Sequence, residues 1–172
     1  PMIWKGGMSF HGAVVGIFLA TLIFCKKNNQ KIFYFLDLVA LTAPIGIFFG
    51  RIANFINSEL YGRETEIFWS VKFVQIDKIH RHPSQIYEAI GEGIILFLLL
   101  QLFYKKFQKK TGMISCLFLI FYSIFRFFIE YTREPDLHLG FIFLNMTMGQ
   151  IISIISFLAG MILFYINYDF KK

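Results

Sequence analysis

The sequence predicts an all-α fold, a polytopic bundle of transmembrane helices, and three observations carry that expectation. Five apolar runs recur along 172 residues, charged residues make up only 16% of the chain, and lysines gather in short clusters that follow apolar runs. Soluble domains carry roughly 25% charged residues, and a soluble core of this size has no use for 23 phenylalanines. Helices that face lipid do, because their surfaces are apolar all round. Mean hydropathy is correspondingly high, at +0.60. The length suits one compact bundle, expected as a single transmembrane domain over residues 1–172.

A helix crosses the hydrocarbon core in about 20 residues. The five spans are expected at about 10–25, which is short, and at 32–50, 86–104, 113–131 and 149–168. Lys26, Lys27 and Lys31 follow the first run, Lys105, Lys106, Lys109 and Lys110 follow the third, and Lys171 and Lys172 close the chain. Lysine-rich loops stay in the cytoplasm. That rule puts the segment Pro1–His11 outside, makes 51–85 and 132–148 outer loops, and leaves the C-terminus inside. The long outer loop also carries arginine and lysine, but Glu59, Glu64, Glu66 and Asp77 accompany them. Within it, Ile67–Val74 is β-branched and aromatic, and reads as a short extended piece or a helix lying in the interface.

The net charge of +6 does not point to nucleic acid, because the positive groups are split among loops rather than gathered on one soluble surface. Cys25 and Cys116 both fall at cytoplasmic ends of spans, where thiols stay reduced, and read as packing residues. The chain opens on Pro1 and shows no basic-then-apolar leader. Its first residues read as a loop entered from earlier sequence, so an amino-terminal part is expected to precede it.

Ionisable groups inside a membrane are costly, about 2.5–3.5 kcal/mol for an arginine at a helix centre, and each needs a reason. On the fourth expected span Tyr122, Arg126, Glu130 and Arg133 are spaced by four, four and three residues. Helical winding places them within about 80° of arc, and Arg126 about 7–8 Å below the outer end. A lone arginine there would simply reach for the headgroups; four polar groups in one stripe point to a site. Pro83 suits the first turn of the third span, after which Gln85, Glu88 and Glu92 share a face. Glu92, the deepest, reads as a structural partner for arginines of neighbouring helices. Glu88 and Gln85 fit a structural or a functional role equally.

The second span ends in Gly50–Arg63, where Arg51, Asn54, Asn57 and Glu59 stand between bracketing glycines. Glycine lets backbone approach a ligand closely, and asparagine and arginine supply directed donors. Before the first span lies Gly6-Gly7-Met8-Ser9-Phe10-His11-Gly12; a single interfacial histidine of this kind is more often structural than catalytic. His80 and His82 lack a third ligand at a metal-binding spacing, so no metal is expected, and no cofactor. From the residues alone, Arg51, Arg126 and Arg133 form an anion-accepting site at lipid-head depth, since a guanidinium matches phosphate with its planar fork. A transporter would carry polar groups on through the membrane, and here only Asp37 and Glu92 lie deep.

Five blocks in order, namely Gly6–Gly12, Gly50–Gly62, Arg81–Glu88, Arg126–Asp136 and Thr147-Met148-Gly149-Gln150, resemble the prolipoprotein diacylglyceryl transferase family. Ala53, Ser58 and Tyr61 depart from the pattern, where glycine, glycine and tryptophan are usual, and leave the polar set intact. The resemblance implies a multi-spanning bundle with further amino-terminal helices and a lateral opening to lipid, in the bacterial cytoplasmic membrane with its site toward the outer, periplasmic face. It implies transfer of the diacylglyceryl group of phosphatidylglycerol to the lipobox cysteine thiol of a preprolipoprotein, forming a thioether and releasing glycerol phosphate. The partners it implies are that membrane lipid and the signal peptide bearing the cysteine. It implies functional roles for His11, Arg51, Asn54, Glu59, Gly62, Tyr122, Arg126, Glu130 and Arg133, with Gln85 a further substrate-binding candidate. Arg51 and Arg126 would hold the phosphate, and His11, Glu130 or another group would take the thiol proton.

Overall fold

The computed structural model describes residues 10–135 and 140–169. Five helices follow in order: α1 (Phe10–Lys27), α2 (Ile32–Ile56), α3 (Ser84–Phe107), α4 (Met113–Ile129) and α5 (Met148–Asp169). Two short antiparallel ribbons lie in the connections, β1 (Val71–Lys72) with β2 (His80–Arg81), and β3 (Phe141–Phe143) with β4 (Met146–Thr147). The segment 67–74 is therefore turns and a two-residue strand, the extended alternative of the two read from its composition.

The expected count of five crossings is corrected. Among the described residues four helices are long and apolar enough to cross a membrane, within Ile32–Ile56, Ser84–Phe107, Met113–Thr132 and Met148–Tyr168. The 18 residues of α1 end on Lys26 and Lys27. Without those lysines about 24 Å of helix remains, short of a hydrocarbon core about 30 Å thick. On the four longer helices many exposed side chains are large and apolar, among them Phe49, Leu102 and Ile162. That is the surface a lipid solvent calls for.

The bundle has two chemically different ends. At one, α1 stops at Lys26-Lys27 and α3 at Lys105-Lys106, where cations favour the carbonyl end of a helix. The buried core lies toward this end and comprises Ala40, Leu96, Leu100, Phe107, Met113, Ile114 and Leu117. Asp37 is buried there, and its purpose is local. Its carboxylate accepts hydrogen bonds from Gly112 N (2.5 Å), Ser115 N (2.8 Å) and Ser115 Oγ (2.7 Å), and so caps α4 from a different helix. The first N–H groups of a helix have no partner within it, and a negative charge opposes the positive helix end. Asp37→Ala will strand those buried donors, at about 1–3 kcal/mol. Thermal unfolding in detergent should show that loss; an unchanged midpoint would refute the capping role.

At the opposite end α2 continues past Gly50 to Ile56, so Arg51 and Asn54 stand on helix rather than in the loop. Pro83 stands at the cap position just before α3, one residue ahead of the first turn expected for it. The stretch Ala89–Ile95 inside α3 is wound as a π-helix, in which hydrogen bonds run from residue i to i+5. Such widened turns are frequent at functional sites. A small hood closes this end. Gly62 bridges Arg133, Glu64 bridges Arg81, and Arg63 N donates to Thr132 O (2.9 Å), so that the segments around 62, 81 and 133 lie side by side.

Candidate active site

The π-wound turn of α3 sets two carboxylates against two guanidinium groups. Glu88 is fully buried and pairs through one oxygen with the charge of Arg51, whose Nε lies 3.2 Å away. Its other oxygen takes a short contact from Arg126 and lies 3.8 Å from Arg133 Nη1. Glu92, also fully buried, stands 3.6 Å from Arg51 Nη2 and 3.8 Å from Arg126 Nη1. Arg126 turns its second nitrogen to Glu130 at 2.5 Å. Three arginines, from α2, α4 and the residues just after α4, thus converge on Glu88.

The site has a front and a back. The side chains of Glu88 and Glu92 expose no surface, whereas those of Arg51, Arg126 and Arg133 retain 17%, 12% and 10%. What surface these five residues keep therefore belongs to the arginines, and the two carboxylates lie wholly within. Tyr122, one turn before Arg126, stacks on Phe118 with ring centroids 5.6 Å apart, close enough to Glu92 and Arg126 to interact with their charge.

Glu130 is fixed from the far side by the start of α5. Thr147 Oγ1 donates to its carboxylate (2.9 Å) and itself accepts from Gln150 N (3.3 Å), while Gln150 Oε1 accepts from Thr147 N (3.0 Å). This is a reciprocal helix cap, built on the spacing Thr-x-x-Gln. Gly149 makes room for it, since a Cβ there would stand 2.7 Å from Glu130 Oε1.

The hood is fixed by a second set of polar contacts. Arg81 donates to Asp77 (2.7 Å) and to the carbonyl of Gly62 (3.2 Å), and lies over the Tyr61 ring at 4.7 Å. The hydrogen bond from Arg81 holds the Asp77 carboxyl below its ordinary value. Burial keeps His82 below its own ordinary value, hence neutral at pH 7, and it meets Tyr87 Oη at 3.3 Å while Trp69 Nε1 donates to that same oxygen (2.6 Å). His80 Nδ1 is 3.0 Å from Ser70 Oγ.

Of the residues singled out from the sequence, Arg51, Arg126, Glu130 and Arg133 come together, with Tyr122 beside them. Gly62 serves the hood, and Gln85 donates from Nε2 to the carbonyl of Glu59 (2.6 Å). Glu59 is itself exposed and reaches the site only through that backbone oxygen, and the carbonyl of Asn54 accepts from Glu59 N (2.8 Å). The side chain of His11, with Gly6 to Ser9 and Asp136, lies outside the described residues. Sequence reading did not put Glu88, Glu92 and Thr147 among the site residues. The shared face of Gln85, Glu88 and Glu92 and the Thr-x-x-Gln pattern were the signals available for them.

The profile of one protein family, described as prolipoprotein diacylglyceryl transferase, matches residues 1–166. The chain belongs to that family. Its relatives named phosphatidylglycerol–prolipoprotein diacylglyceryl transferase include a Campylobacter lari protein, 49% identical over 166 residues that make up 96% of this chain and 60% of the relative. An Ehrlichia canis protein is 49% identical over 162 residues, 92% of this chain and 62% of the relative. A Rhodospirillum rubrum protein is 48% identical over 169 residues, 96% and 62%. The chain therefore spans about 60% of the length of these prolipoprotein diacylglyceryl transferase relatives.

Proposed function

We propose that the arginine cluster binds the phosphate of phosphatidylglycerol and that the protein transfers the lipid's diacylglyceryl group to a lipobox cysteine of a preprolipoprotein. The observation that carries this reading is the layered site, with Arg51, Arg126 and Arg133 partly exposed in front of fully buried Glu88 and Glu92. Family membership and the names of the relatives support the choice of lipid and acceptor.

In this reading Arg51 and Arg126 hold the phosphate with their forks. The cysteine thiolate attacks the glyceryl carbon and a C–S bond forms. The C–O bond to phosphorus breaks, oxygen keeps the electron pair, and glycerol phosphate departs. Charge grows on that oxygen as the bond breaks, and preorganised guanidinium groups stabilise charge where it develops. His11, which resemblance to the family nominates, or Glu130 takes the thiol proton. Asn54, Glu59, Gly62, Tyr122, Gln85 and Arg133 shape and line the site. A crevice of about 220 Å³ between α4 and α5, lined by Ser123, Phe127, Phe128, Ser153, Phe157 and Leu158, starts one turn from Arg126 and suits hydrocarbon. The lysine clusters support a cytoplasmic position for the bundle's other end, and with it a site at the outer face of the bacterial inner membrane.

The intact protein, reconstituted with a lipobox peptide, should convert it only when phosphatidylglycerol is supplied. Mass spectrometry of the peptide would report the added diacylglyceryl group. Equal conversion in vesicles of phosphatidylcholine alone would overturn the reading.

A further inference from the structure

Glu92 differs from the other carboxylates of the cluster. It is fully buried, yet neither of its oxygens has a hydrogen-bond partner. Its arginine neighbours stand off at 3.6 and 3.8 Å. Glu88, one turn earlier, takes the close contacts from the same two arginines. Glu130 is held by Arg126 and by Thr147.

The groups around Glu92 are Arg51 from α2, Glu88 from α3, and Tyr122, Arg126 and Glu130 from α4 and its end, with Arg133 just beyond Glu88. The start of α5 reaches Glu130 through the uncharged Thr147, which bonds in turn to Gln150. The described cluster thus holds three guanidinium groups and three carboxylates, and is neutral when all are ionised. A phosphodiester bound there brings one uncompensated negative charge against a cluster whose carboxylates Glu88 and Glu92 are fully buried, where such a charge is costly.

We propose that Glu92 takes up one proton when the anionic lipid head binds, so that lipid and proton enter the site together. The inference rests on the lipid-binding reading above. Protonating Glu92 removes the surplus charge and breaks no hydrogen bond. At this binding step, before any thiol is present, protonating Glu88 or Glu130 would sacrifice close, charge-assisted contacts. As the phosphate engages Arg51 and Arg126, Glu92 loses their attraction and faces like charge from Glu88 and from the ligand, which favours its neutral form. The proton comes from water at the open face of the arginines, and no bond to carbon, sulfur or phosphorus changes in this step.

The test is calorimetric titration of the intact protein with a short-chain phosphatidylglycerol, without peptide, in two buffers of different ionisation enthalpy. Wild type should take up about one proton per lipid, with Kd rising about tenfold per pH unit over part of the range from about pH 5 to 9. Glu92→Gln, a neutral near-isostere, should bind without proton uptake, show a flat pH profile, and exceed wild-type affinity at the alkaline end. A merely structural Glu92 gives the opposite result, weaker binding at every pH with the wild-type slope retained. That outcome, or wild-type binding with no proton uptake, overturns the proposal. Absence of lipid binding at every pH would overturn it together with the lipid-site reading, and is distinguishable from the other two. The wild-type measurement decides by itself if the variant does not fold.

Discussion

Arg126→Lys is expected to lower phosphatidylglycerol-dependent conversion of a lipobox peptide by at least about 100-fold, the scale of losing one preorganised donor at a developing anion. Arg126 reaches Glu88 with one terminal nitrogen and Glu130 with the other, the latter at 2.5 Å. An ammonium is a single point on a flexible stem and cannot meet two carboxylates held on different helices while presenting a fork to phosphate. Glu130 keeps its hydrogen bond from Thr147 in the variant, and the packed face of α4 through Ile114, Leu117 and Ile120 is untouched. Helical content and elution in detergent should therefore match wild type. Initial rates decide the matter, and a variant that kept more than about a tenth of the wild-type rate would remove Arg126 from the role given to it.

Gly62→Ala is expected to disrupt the hood, at about 3 kcal/mol, the upper end of the range for overpacking a tight site. A Cβ at this position would lie 2.3 Å from the carbonyl oxygen of His82, 2.6 Å from His82 Cβ and 2.7 Å from the carbonyl oxygen of Thr132. Two of these atoms are backbone and cannot swing away as a flexible side chain does. They also belong to the bonds that join the segments, Gly62 N to His82 O at 3.1 Å and Arg63 N to Thr132 O at 2.9 Å. Arg133, which follows Thr132, would be carried away from Glu88. Amide hydrogen exchange around residues 62, 82 and 133 should accelerate together, and conversion should fall with it. Gly46→Ala is the matched control, because a Cβ there meets nothing within 4 Å. Equal exchange in the two variants would refute the steric argument.

Much of this molecule is legible in its sequence because membranes impose strong rules. Apolar length announced α2 to α5, and failed only for α1, where the lysines arrive too soon for a crossing. The stripe of Tyr122, Arg126, Glu130 and Arg133 follows from helical spacing, whereas the same spacing on α3 leaves Gln85 and Glu88 open between a structural and a functional role. What periodicity could not supply was partnership across the bundle. Asp37 looked like a deep polar exception until the start of α4 was found on it. Glu92 was read as a structural partner, and its lack of hydrogen bonds is a property of three-dimensional placement alone. Gln85 and Glu59 share a contact, but one that passes through a backbone carbonyl invisible to residue type. The hood escaped as well, because isolated bridges between single residues leave no alternation to detect.

The wide winding of residues 89–95 has a consequence for how much variation α3 can tolerate. Its first half aims Glu88 inward at the arginines and Gln85 at the carbonyl of Glu59, while its second half aims Leu96 and Leu100 into the apolar core. These two orientations are matched through a segment that is not wound at the usual pitch. Losing or gaining one residue there would rotate one half against the other by about 100°, pointing either the acids or the leucines at lipid. Point changes at exposed positions such as Leu98 and Leu102 can be absorbed along this helix. Changes of length within it cannot, because the segment sets the phase between chemistry and anchorage.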